Sequence, residues 1–197
     1  MTTETLNISE EQLVDYSKAH NEPSWMTELR KKALKLTETL EMPKPDKTKL
    51  RKWDFDTFKQ HHTTGDAYTQ LTDLPKSVKE IIDVENSENL IIQHNNELAY
   101  TQVSDQAKHD GVIIEGLSEA LVNHSDLVQK YFMTKAVDVD EHRLTALHTA
   151  LVNGGIFVYV PKNTVVEHPI QYVVLHDDEQ ASFYNHVIIV TEESAEV

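Results

Sequence analysis

The stretch that most restricts what this chain can fold into runs from Leu144 to Gln171, LTALHTALVNGGIFVYVPKNTVVEHPIQ. Leu144, Leu147, His148 and Leu151 fall at i, i+3, i+4 and i+7, one face of a 3.6-residue period, and predict a helix. Asn153 and Gly154 supply a stop, because either residue ends a helix cheaply in the left-handed conformation. After Gly155 the run IFVYV is β-branched and aromatic and predicts a strand. Pro161 closes it, having no N–H to give a ladder. A turn at Lys162-Asn163 leads to TVV, Pro169 interrupts again, and IQYVVL is a third extended piece. One helix thus feeds a row of short strands broken at close intervals. A wound, coil-by-coil β structure reads this way, and so does a short-strand sandwich.

The rest of the chain is mixed. Ser9 to Gln12 is a capping box ahead of a helix from about Glu10 to His20. Asn21 to Ser24 breaks it. A second helix starts near Pro23 and runs to about Leu40, with Trp25, Leu29, Ala33, Leu36 and Leu40 as its apolar stripe. Met42-Pro43-Lys44-Pro45 reads as an extended linker. Between Asp46 and Leu74 periodicity is weak; Trp53, Phe55 and Phe58 are the expected anchors and His61-His62 lies in a loop. A short helix follows Pro75. LIIQHNNELAYTQV predicts two strands around Asn95-Asn96, Val112 to Ile114 a further strand, and Leu117 to Lys135 one helix capped at Ser118. The expected fold is α+β: helices and linker over 1–45, an α/β portion over 46–153, and the first coils of a β-helix over 154–197. In the strand after Gly155, Val158 and Val160 are expected to face inward, with Phe157 and Tyr159 on the other side.

Composition narrows the function. A net charge of −15 argues against nucleic acid, whose backbone demands clustered Lys and Arg. The clusters Arg30-Lys31-Lys32 and Arg51-Lys52 read as solvated helix faces. The absence of cysteine excludes disulfides, a Cys nucleophile and an iron–sulfur cluster held by thiolates of this chain, and agrees with a cytoplasmic location. No apolar run is long enough to span a membrane. Gly154-Gly155 lacks the surroundings of a phosphate-binding loop or a dinucleotide fingerprint, and there is no G-x-S-x-G elbow. The 11 histidines are the only candidate chemistry. No H-E-x-x-H or H-x-H occurs. His168, His176 and His186 lie in the β portion, where successive coils can approach one another, and imidazole suits zinc or iron. The alternative reading is therefore a small β-rich, cupin-like metalloenzyme using these three. His148, on the apolar face of its helix, reads as a core histidine.

Gly154-Gly155, FVYVPKN and EHPIQ, with EPSWMTELRKKAL (Glu22 to Leu34), RKWDF (Arg51 to Phe55) and NHVIIVTEESAEV at the end, resemble the SufB/SufD family of iron–sulfur cluster assembly proteins, within it the SufD branch. The likeness runs along essentially the whole chain. It implies an N-terminal part of a longer protein that continues through more β-helix into a helical segment contacting the SufC-like ATPase, with a SufB-like subunit as the other partner. It implies a non-enzymatic scaffold role in which the iron–sulfur cluster is handled by the full complex, with no cofactor in this chain. The family's functional residues lie in the later part, so none carries over: no catalytic, cofactor-binding or metal residue is assigned. A strand left uncovered at Asn185 to Thr191 is expected to self-associate.

Overall fold

A computed structural model describes residues 7–55, 57 and 60–197. In chain order its helices and strands are α1 (Glu10–Ala19), α2 (Ser24–Thr39), α3 (Lys76–Lys79), β1 (Asn89–His94), β2 (Glu97–Gln102), α4 (Asp105–His109), β3 (Ile113–Gly116), α5 (Leu117–Asn123), α6 (Ser125–Tyr131), α7 (Arg143–Leu151), β4 (Gly154–Val160), β5 (Ile170–Leu175) and β6 (Asn185–Thr191). They form two compact units, each made of two segments. One holds the described residues of Met1–His61 with Leu121–Val152; the other holds His62–Ala120 with Asn153–Val197.

In the first unit the capping box forms as expected, Ser9 Oγ accepting from the Gln12 N–H and Gln12 Oε1 from the Ser9 N–H. α1 ends with Asn21 at φ 52°, the Glu22 N–H reaching the Ser17 carbonyl and the Asn21 N–H that of Lys18. This 6→1 and 5→2 pair turns the chain directly into α2. The buried face of α2 is Met26, Arg30, Ala33 and Thr37, one residue round from the expected stripe; Trp25, Leu29, Leu36 and Leu40 are only half-buried. α2 packs chiefly on α7.

Two helix ends differ from the sequence reading. The helix expected over Leu117–Lys135 is two, because His124 leaves helical geometry at φ −130°, ψ 36°. Asn123, His124, Ser125 and Asp126 in succession all rank low in helix interiors. Ser118 lies inside α5 and does not cap it. α7 is capped by His142, whose Nδ1 accepts from the Thr145 N–H. It stops because Val152 turns extended, at φ −50°, ψ 127°, and neither Asn153 nor Gly154 is left-handed.

The second unit has two three-stranded sheets, β2-β1-β5 and β3-β4-β6. β1 and β2 form the expected hairpin, Asn95 taking φ 54° at the turn. Strands after Asn153 then pair with strands before it: β1 runs parallel to β5, and β3 antiparallel to β4. Ile91 joins Ile114, Ile156, Val158 and Val160 in one cluster shared by both sheets, while Leu90 and Ile92 meet Leu74, Val78 and Ile82 on the opposite face. β1 is therefore buried on both sides. Val158 and Val160 face the core as expected, but Phe157 is fully buried too, so on the other face of β4 only Tyr159 is partly exposed.

The Gly154-Gly155 pair belongs to β4, where backbones come close. Gly155 has φ 135°, and a Cβ there would stand 1.9 Å from the His186 carbonyl oxygen of β6; one on Gly154 would stand 2.4 Å from Gln93 Nε2. β6 lies parallel to β4, Gly154 opposite Asn185. Further along, Lys162 meets Glu193 and Val165 meets Glu196, and the Asn153 amide oxygen accepts from the Tyr184 N–H. Each pair is separated by the same 31 residues. Gly155→Ala is expected to destabilise by about 3 kcal/mol or more, since the Cβ meets backbone and the φ is strained. An unfolding free energy, from denaturant titration, within about 0.5 kcal/mol of the parent's would contradict this packing.

Candidate functional site

The most heavily engaged side chain of the first unit is Arg30, 1% exposed in the middle of α2. Its Nε and Nη2 donate to both carboxylate oxygens of Glu22, at 2.8 and 2.6 Å, and Nη1 donates to the Ala150 carbonyl at 2.9 Å. Its guanidinium carbon lies 4.9 Å from the centre of the Tyr16 ring. One cation thus joins α1, the α1–α2 turn, α2 and the last turn of α7, whose carbonyls lack helical partners and carry the negative end of the helix dipole. Burial by itself would raise the Glu22 pKa; the Arg30 charge and the hydrogen bonds from Arg30 and Ser17 outweigh it and hold the carboxyl below the usual range. His148, on the same helix as Ala150, is lowered by burial and then by the Arg30 charge. The Arg30-Lys31-Lys32 cluster is thus a solvated face only in its lysines. The missed signal was the 4-3-4 spacing of Met26, Arg30, Ala33 and Thr37, which puts an arginine on the packed side.

The second unit is held by uncharged polar side chains. Gln93 Oε1 accepts from the Gly155 N–H at 2.9 Å and from the Tyr172 hydroxyl at 2.5 Å, and its Nε2 donates to the Asn95 carbonyl. The hydroxyl also lies 2.9 Å from Asn185 Oδ1. Burial raises the Tyr172 pKa to about 12, so the phenol stays protonated at any physiological pH. Asn96 and Asn153 both donate to the Ser182 carbonyl, and Asn95 Oδ1 accepts from the N–H groups of Asp177 and Asp178. His94 Nδ1 accepts the Asp66 N–H at 2.8 Å, so its Nε2 carries the proton donated to Asp177, 3.0 Å away. That bond is the leading cause of the lowered Asp177 pKa.

The three candidate ligand histidines are not assembled. His168 precedes β5 and lies 3.7 Å from Glu88; His176 follows the same strand and packs on Phe183. The six residues of β5 lie between them, a strand about 20 Å long at 3.3 Å each, too far to share an ion. His186 stands in the other sheet, opposite Gly155. The cupin-like alternative loses its ligand set. Trp53, an expected anchor, is 63% exposed; Phe58 and the Arg51 side chain lie outside the described residues. β6 is the outer strand of its sheet and turns Val187 and Ile189 to solvent, 47% and 58% exposed, on either side of buried Ile188. No helix among the described residues is long and apolar enough to cross a membrane.

These features describe an α+β chain whose outer strand β6 presents Val187 and Ile189 to solvent. Residues 10–172 match the family described as SufBD protein N-terminal region, and the chain belongs to that family. It is 46% identical over 193 residues to the iron-sulfur cluster assembly protein SufD of Bacillus subtilis, covering 98% of this chain and 44% of that protein. It is 29% identical over 211 residues to an iron-sulfur cluster assembly SufBD family protein of Pyrococcus horikoshii, covering 99% and 47%, and 26% identical over 200 residues to one of Staphylococcus epidermidis, covering 96% and 42%. The chain therefore spans less than half the length of these relatives.

Removing one partner of a buried pair strands the other, so Glu22→Gln is expected to cost about 3–5 kcal/mol of stability. Both depressed groups favour the fold when deprotonated. His148 contributes above its ordinary 6.5 and loses that contribution as pH falls below it; Glu22 contributes above 4.5 and loses it on further acidification. Melting temperature should therefore fall in two stages below neutrality. His148→Gln should flatten the first stage and Glu22→Gln the second; unchanged profiles in both variants would refute the assignment.

Proposed function

We propose that this chain is part of a non-enzymatic, SufD-like subunit of an iron–sulfur cluster assembly scaffold, acting in the cytoplasm with a SufB-like subunit and a SufC-like ATPase. The observation that carries the reading is the 46% identity to a SufD protein along 98% of the chain. In this reading the chain holds no cofactor, and the cluster is the cargo of the whole complex. Residues 154–197 are the first coils of a β-helix. Parallel pairing of β4 with β6, and of Val165 with Glu196, at one constant offset supports this, because stacked coils repeat at a fixed length. The chemistry agrees: there are no thiolates and no phosphate-binding loop.

Two experiments test the reading. Anaerobic reconstitution of the chain alone with iron and sulfide, followed by desalting, should leave no visible charge-transfer band and no ATPase activity; a retained band would overturn the role. The open edge of β6 is proposed to pair with a second copy of this chain. A charge of −15 opposes that, but it is screened over about 8 Å at physiological salt, and a few hundred Å² of apolar burial at about 25 cal/mol per Å² favours it by several kcal/mol before the entropy of association. Light scattering at tens of micromolar should show salt-promoted dimers, weakened by Ile189→Lys. A strict monomer at low and high salt would show the edge to be protected.

A further inference from the structure

Asn153-Gly154 is the one Asn-Gly pair in the sequence, and it stands where the chain enters β4. Such a pair carries its own reactivity. Glycine has no Cβ to hinder its backbone nitrogen, which reaches the side-chain amide carbon of the preceding Asn to close a five-membered ring. In the fold this Asn is 2% exposed and its amide is gripped at both ends. Oδ1 accepts the Tyr184 N–H at 2.9 Å; Nδ2 donates to the Ser182 carbonyl at 3.1 Å and lies 3.2 Å from Ser182 Oγ. The Asn153 N–H donates in turn to the Tyr184 carbonyl at 3.0 Å. The Gln93 amide packs directly on Gly154. The grip on the Asn153 side chain thus comes from one short segment, residues 182–184, which leads into the outer strand β6.

We propose that Asn153-Gly154 is a self-modification site, silent while residues 182–184 hold the amide and active when they let go. The Gly154 nitrogen, having given its proton to hydroxide, attacks Asn153 Cγ. The new C–N bond forms, the Cγ–Nδ2 bond breaks, and the leaving nitrogen takes a proton from water and departs as ammonia. Water then opens the cyclic imide at either carbonyl and leaves aspartate or isoaspartate at 153. Either product bars return to the fold. A carboxylate has no hydrogen to give the Ser182 carbonyl and sets a charge in a buried place. Isoaspartate adds a methylene to the main chain just where the register of β4 on β6 begins, Gly154 opposite Asn185. The pair is therefore a one-way record of the time the second unit has spent open. This is independent of the family reading: the scaffold role stands or falls on cluster handling, and this site on the chemistry below.

The test follows the full chain at mildly alkaline pH, in buffer and across a urea titration, by peptide mapping with mass spectrometry and enzymatic detection of isoaspartate. Mapping separates Asn153 from Asp110-Gly111, the one Asp-Gly pair, which closes the same ring. In urea beyond the unfolding midpoint, Asn153 should convert faster than every other Asn of the chain. In buffer the conversion should be at least about tenfold slower, because only opened molecules react, and through the titration its rate should track the fraction unfolded. Asn153→Gln, whose ring would need six members, should stay unmodified at 153 in urea. Modified chain, separated by ion exchange, should fail to regain the native circular dichroism on removal of urea or should unfold at a lower midpoint. Chain held in urea for the same time at acidic pH, where the Gly154 nitrogen keeps its proton, should refold. The proposal is overturned by a rate in buffer within about twofold of that in urea, by another Asn converting faster in urea, or by modified chain that refolds to the stability of the unmodified one.

Discussion

A guanidinium taken out of water must be matched by partners or it unfolds what surrounds it. Desolvating such an ion costs several kcal/mol even after relaxation, and Arg30 recovers that cost only because Glu22, the Ala150 carbonyl and the Tyr16 ring stand where it needs them. Each partner comes from a different part of the unit. Glu22 is placed by the left-handed Asn21 turn, Tyr16 by the capped register of α1, and Ala150 by the end of α7. Buried ion pairs in general seldom make a unit more stable than a well-packed apolar core would. This one makes the unit particular, since a slip of α2 by one residue would strand a charge.

The second unit meets the same constraint without charge. Gln93 and the buried asparagines Asn89, Asn95, Asn96 and Asn153 satisfy backbone groups at strand ends and turns that the ladders leave open. The glycine pair belongs to the same solution. Gly154 lets the Gln93 amide, and Gly155 the His186 backbone, approach β4 more closely than a side chain would permit.

Local features were legible in the sequence. The capping box at Ser9, the break at Asn21, the hairpin at Asn95-Asn96 and the strands IFVYV and IQYVVL each follow from a few adjacent residues and are present, whereas the extended piece TVV is reduced to a single bridge at Val165. What was not legible depends on partners far along the chain. The buried side of α2 is set by α7, more than a hundred residues later, and an arginine in that face has no local signature. The glycines looked like a helix stop because the strands that crowd them, β1 at Gly154 and β6 at Gly155, cannot be seen from their neighbourhood. The histidines failed for a related reason: nearness in sequence to one strand placed His168 and His176 at its two ends. The family was legible because it rests on residue identity along the whole chain, which no rule of periodicity encodes.

The pairing of β1 with β5 joins residues about eighty positions apart. A ribosome adding roughly 5–20 residues per second delivers β5 about 4–16 seconds after β1. Through that interval the hairpin of β1 and β2 has an open edge, and Ile91, destined for full burial, still awaits Ile156, Val158 and Val160. The nascent chain is thus most exposed to misassociation in its middle, well before its last strands exist, and factors that hold nascent chains would find their grip there.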